Sequence, residues 1–134
     1  MSRVKHVALV VDDIDEALEF WRDGLGLKVA NVEEVPEQAA VVAFLETGDQ
    51  ELELVKPTDE DSGSAKFLRE RGPGMHHICF EVTDLATCLE HLKSMDIALI
   101  NEEPVAGAGG KQIAFIHPKS THGVLVELSE QASE

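Results

Sequence analysis

Residues 4–11 (VKHVALVV) carry a dense run of β-branched side chains and read as a strand. Asp13 follows as a helix N-cap, with Glu16 three residues on in the spacing of a capping box. Ile14, Ala17, Leu18 and Trp21 then recur at helical intervals until Gly24 and Gly26 stop them. Three strands are predicted next, at 27–35, 39–46 and 51–56, the last two joined across Gly48-Asp49. The charged end of the first is the stretch that reads least as strand. A connecting helix around 65–71 leads to a strand at 75–82, a helix at 84–95, and strands near 98–102, 112–117 and 124–129. The order is βαβββ twice, an α+β pattern with no long linker between the copies.

The two copies are also related in sequence. HVALVVDDIDEALE from His6 returns 71 residues later as HICFEVTDLATCLE from His77. His6/His77, Val11/Val82, Asp13/Asp84, Leu18/Leu89 and Glu19/Glu90 are identical pairs. Each copy ends in a short apolar strand with one Glu at its centre, Leu52-Glu53-Leu54-Val55 and Val126-Glu127-Leu128. The His-to-Glu separation is 47 residues in the first copy and 50 in the second. The expectation is one domain spanning 1–134, made of a module of about 1–70 and another of about 71–134.

Equivalent strand positions in two related modules point to equivalent places in the fold. Under a pseudo-two-fold, His6 and His77 approach each other, as do Glu53 and Glu127. Two imidazoles and two carboxylates suit a borderline divalent ion, cobalt first, with manganese, nickel or zinc as alternatives, and leave coordination positions for substrate or water. Closed structural zinc sites favour sulfur instead. A single strand His or Glu is ordinarily packing or solvated surface; recurrence at matched places is what raises these four above that. His76 must face away from its neighbour His77, and the repeat selects His77. His91 aligns with Phe20 and reads as structural, His117 and His122 as loop residues, and Cys79, aligned with Ala8, as small packing.

Composition narrows the class. With 43% hydrophobic residues in 134, the chain can bury a substantial core. Its 11 Lys+Arg against 26 Asp+Glu give a net charge of −15, which repels phosphate backbones and excludes nucleic acid as the expected partner. No apolar run approaches the ~20 residues that span a bilayer, so no membrane association is expected. The N-terminal segment shows no signal-peptide pattern, and two cysteines, Cys79 and Cys88, build no disulfide framework; a cytoplasmic location is the expectation.

The repeated βαβββ module with its His…Glu…His…Glu series resembles the vicinal oxygen chelate (glyoxalase/bleomycin resistance/dioxygenase) superfamily and, within it, the methylmalonyl-CoA epimerases. The segments that carry the likeness are His6-Val-Ala, Pro36-Glu37-Gln38, Gly74-Met75-His76-His77-Ile78, Gly107-Ala108-Gly109-Gly110-Lys111, and His117-Pro118-Lys119-Ser120 followed by Gly123-Val124-Leu125-Val126-Glu127-Leu128. Glyoxalase I proteins usually have Asp-Pro-Asp-Gly where this chain has His117-Pro118-Lys119-Ser120. The resemblance implies one glyoxalase-like domain with a metal site in the sheet cleft, held by His6, Glu53, His77 and Glu127, and a homodimer. Some epimerases have Gln at the place of Glu53, and at least one member places a catalytic Glu where Val42 stands here.

The implied reaction is metal-dependent epimerisation of (R)- and (S)-methylmalonyl-CoA, in propionyl-CoA metabolism, by removal and return of the C2 proton through a metal-stabilised enolate. Inversion needs acid/base groups on both faces of that enolate. Glu127 is expected to be one; Glu37, or a bound water, is the candidate for the other, with Glu46 ranked below it. A glycine-rich turn at 107–111 can offer backbone N–H groups to an anion. Lys111 and Lys119 are the expected cations for the substrate's carboxylate or coenzyme A phosphates. The rivals are glyoxalase I (lactoylglutathione lyase), an extradiol dioxygenase, against which a fourth protein ligand argues, and a non-catalytic small-molecule binding protein.

Overall fold

The computed structural model describes residues 2–131. Among these residues, eight strands and three α-helices make an α+β fold. Contacts divide the chain into two compact units, His6–His76 and, with the first five residues, the part from His77 onward. The sequence boundary near residue 70 thus falls six residues before the contact boundary.

In the first unit the strands run in the order β2-β3-β4-β1. Strand β1 (Arg3–Val10) pairs parallel with β4 (Gln50–Pro57), which places Ala8 opposite Glu53. Strand β3 (Ala40–Thr47) lies antiparallel to β4 and brings Phe44 opposite Glu53. The edge strand β2 (Lys28–Val35) is a full eight-residue strand despite its charged end. Helix α1 (Ile14–Leu18) starts where the Asp13 carboxylate accepts the Glu16 N–H at 2.9 Å, as the capping spacing implies. It continues as a wider π-helical turn through Gly24, a form that periodicity does not reveal. Val11, Leu18, Ala43, Leu45 and Leu54 form the core beneath it, with Trp21 against them. Alternation therefore sends Leu54 into that core and Glu53 to the other face. Helix α2 (Gly63–Arg71) opens on Ser62, whose hydroxyl accepts the Ala65 N–H.

The second unit has the order β5-β8-β7-β6. Strand β5 (Gly74–Val82) pairs parallel with β8 (Val126–Glu130), so that Cys79 stands opposite Glu127, as Ala8 stands opposite Glu53. Helix α3 (Leu85–Ser94) is capped by Asp84 through the Thr87 N–H and packs Leu85 and Leu89 on Ala114, Ile116 and Leu128. Strand β7 (Gln112–Ile116) lies antiparallel to β8.

One element departs from the sequence reading. The strand expected near 98–102 is reduced to a single bridge, Leu99 to Ile116, and the pairing resumes only at β6 (Val105–Ala106). The Asn101 side chain accepts the Phe115 N–H at 2.8 Å, taking the place of a backbone carbonyl in the ladder. Pro104, which has no N–H to donate, then keeps the segment from resuming the ladder before Val105.

Candidate metal centre

Each unit holds a buried His–Glu pair. In the first, His6 on β1 and Glu53 on β4 are 9% and 5% exposed, and His6 Nδ1 lies 3.1 Å from Glu53 Oε2. In the second, His77 on β5 and Glu127 on β8 are 5% and 3% exposed, and His77 Nε2 lies 2.9 Å from Glu127 Oε1. The same mechanism builds both: a parallel strand pair carries an imidazole on one strand and a carboxylate on the next. A small residue, Ala8 or Cys79, fills the register position opposite the carboxylate, each fully buried. An antiparallel neighbour places a phenylalanine at the register position beside each carboxylate. Phe44 is opposite Glu53 and Phe115 opposite Glu127, and the Phe115 ring meets His77 edge-on at 5.6 Å.

These phenylalanines were not among the residues singled out from sequence, although a signal existed. Val42-Ala43-Phe44-Leu45 returns as Ile113-Ala114-Phe115-Ile116 at the same 71-residue shift that relates the two histidines. The third strand of each module is therefore part of the repeat.

Buried carboxylates are costly unless a cation or hydrogen bonds compensate them. Imidazole nitrogen and carboxylate oxygen are the donors that borderline divalent ions take. His6, His77 and Glu127 are each buried and each offers one such atom. The donor set fits a divalent ion and, having no thiolate, does not fit a closed structural zinc site.

The remaining expected residues lie elsewhere on their units. Glu37 is exposed in the short 3-10 turn Pro36–Gln38, which ends in Ala39 at φ 50°, a left-handed conformation. Lys111 is half-buried just before β7, its carbonyl accepting the Gly107 N–H at 2.8 Å. Lys119 is exposed in the turn Pro118–Ser120, its N–H donated to His117 Nδ1. His76 faces away from His77 as alternation requires, meeting Phe67 edge-on at 5.0 Å. Val42 is fully buried.

Residues 5–115 match the family model of the glyoxalase/bleomycin resistance protein/dioxygenase superfamily. The mitochondrial methylmalonyl-CoA epimerase of Mus musculus is 39% identical over 97% of this chain and 74% of its own length. The ethylmalonyl-CoA/methylmalonyl-CoA epimerase of Cereibacter sphaeroides is 37% identical over 97% of this chain and 98% of its own. Among solved structures, a single-residue variant of Streptomyces coelicolor methylmalonyl-CoA epimerase in complex with 2-nitronate-propionyl-CoA is 35% identical, covering 98% of this chain and 95% of its own with a TM-score of 0.88.

Proposed function

This chain belongs to the glyoxalase/bleomycin resistance protein/dioxygenase superfamily, and on that premise we propose that it is an epimerase, interconverting (R)- and (S)-methylmalonyl-CoA with a divalent ion held by His6, Glu53, His77 and Glu127. The observation that carries the reading is the pair of buried His–Glu couples at equivalent places in two repeats. Full-length likeness to the epimerases supports the substrate. The two modules act as one domain in a cytoplasmic homodimer, and cobalt is the preferred ion over manganese, nickel or zinc. The imidazole and carboxylate donors support a borderline divalent ion of this series.

The chemistry sets what the residues must do. C2 of the substrate sits between a thioester and a carboxylate, and its proton leaves readily only when charge developing on the thioester oxygen is stabilised. A divalent ion bound at the four side chains supplies that stabilisation as a Lewis acid. Burial of the four side chains strengthens every electrostatic contact nearby. Glu127 has two oxygens, one for binding and one to exchange a proton with C2. The planar enolate must receive a proton on its other face, and Glu37 or a bound water is the candidate to give it. Lys111 and Lys119 offer positive charge to the substrate's carboxylate and phosphates.

An assay that consumes only one epimer while the other is supplied tests this directly. Turnover is expected, lost on chelation with EDTA and restored by added cobalt. Unchanged turnover by metal-free protein, or none by metal-loaded protein, would reject the proposal.

A further inference from the structure

We propose that Phe115 is a positioning residue for the metal centre: its ring fixes the plane of the His77 imidazole. The inference rests on the metal reading proposed above. A ligating imidazole is not oriented by its own torsions, because the final side-chain rotation of histidine is broad and roughly two-fold. Other groups must set both the plane of the ring and the nitrogen it presents. Within the second unit the presented nitrogen is set by Glu127, whose Oε1 lies 2.9 Å from His77 Nε2. The plane is set by Phe115, whose ring stands at 88° to the imidazole with the centroids 5.6 Å apart.

The sheet explains how these two rings come to touch. His77 is on β5 and Phe115 on β7, with β8 between them, so their backbones are two strand spacings, about 10 Å, apart. Centroids at 5.6 Å mean that both side chains lean over β8, the strand of Glu127. They start from the same face. Phe115 and Cys79 are both register partners of Glu127, and His77 shares the face of Cys79 by alternation. Ala114 and Ile116 point the other way, into the core under α3. The Phe115 ring is thus committed to the site face.

Phe115 is itself held by bonds outside any ladder. On the side away from β8, the β6–β7 ladder pairs only Gln112 and Ile113. At Phe115 the segment before β6 takes over. Asn101 Oδ1 accepts the Phe115 N–H at 2.8 Å, and the Phe115 carbonyl accepts the N–H groups of Ile100 at 2.9 Å and Asn101 at 3.3 Å. The side-chain bond that interrupts the strand expected near 98–102 therefore anchors the residue that orients His77. An aliphatic chain in place of the ring would keep apolar packing but give up the edge-to-face geometry, which depends on the charge distribution of the π system.

The test is cobalt binding, followed by the visible absorption of the bound ion, with proton NMR of the metal-free protein as a second readout. Phe115→Leu should weaken cobalt binding about 10- to 100-fold and change the absorption spectrum. In the metal-free protein the same variant should shift the ring-proton resonances of His77. Phe115→Tyr, which keeps a ring, should match the unaltered protein in all three. Phe80→Leu, on the opposite face of β5 in the α3 core, should lower the melting temperature and leave cobalt affinity and spectrum unchanged. Should Phe115→Leu not fold, Asn101→Ala carries the test and should weaken cobalt binding in the same direction. Unchanged affinity and spectrum in the variant that carries the test, an equal loss in Phe80→Leu, or no recovery in Phe115→Tyr overturns the assignment and leaves the metal reading standing. Failure of the unaltered protein to take up cobalt removes both.

Discussion

Glu53 and Glu127 are buried beside imidazoles, and the free energy of those carboxylates depends on what neutralises them. If that is a divalent ion, His77→Ala should lower the metal-to-protein ratio well below one and abolish turnover together; normal metal content in that variant would contradict the ligand assignment. Asp84 makes a different kind of prediction. The Thr87 N–H that its carboxylate accepts at the start of α3 holds its pKa below the ordinary value. A folded pKa below the unfolded one stabilises the protein fully above the unfolded value, and that contribution disappears as pH falls through the folded value. In Asp84→Asn the melting temperature should therefore decline less steeply below about pH 4 than in the unaltered protein. The Asp13 cap was legible from spacing alone, because capping needs only local contacts; Asp84 was read as the first residue of its helix. The His–Glu pairs were legible because they recur. Phe44 and Phe115 recur at the same 71-residue shift, but their place beside the carboxylates follows only from the strand register.

At the scale of elements, strands and helices emerged where local preference and burial agree. The π-helical turn through Gly24 and the loss of the strand near 98–102 escaped, since each is decided by hydrogen bonds to particular partners. The Asn101 side chain that takes the Phe115 N–H is one such bond between residues 14 apart. The short β6–β7 connection is sensitive for a related reason. A Cβ on Gly107 would sit 2.9 Å from two side-chain carbons of Ile113, so Gly107→Ala must displace the Ile113 side chain or the turn itself. A loss of about 1–3 kcal/mol is expected from such overpacking, read as a lower melting temperature together with a raised KM if this turn contacts substrate. In the opposite core, Leu54→Ala should cost about 2–5 kcal/mol, because Leu54 is fully buried under α1 and the site face of β4 lies directly behind it.

Over the whole molecule, charge and substrate pull against each other. Residues 1–70 carry 7 basic and 17 acidic side chains, a net of −10, and residues 71–134 carry 4 and 9, a net of −5. Coenzyme A thioesters are anions, so binding must rely on local cations within a repelling field. Lys119→Glu should raise KM several-fold with kcat nearly unchanged; an unaltered KM would remove Lys119 from substrate binding. No helix among the described residues is long and apolar enough to cross a membrane, and the excess acid on exposed faces is consistent with solvation there. The central claim is that a metal ion held by two repeat-related His–Glu pairs makes the C2 proton of methylmalonyl-CoA exchangeable. Proton NMR of that substrate in D2O, with the protein before and after EDTA, measures this most directly. The predicted result is loss of the C2–H signal with metal-loaded protein, arrest after chelation, and recovery on adding cobalt. A C2–H signal that persists with metal-loaded protein, or that disappears equally fast after chelation, would contradict it.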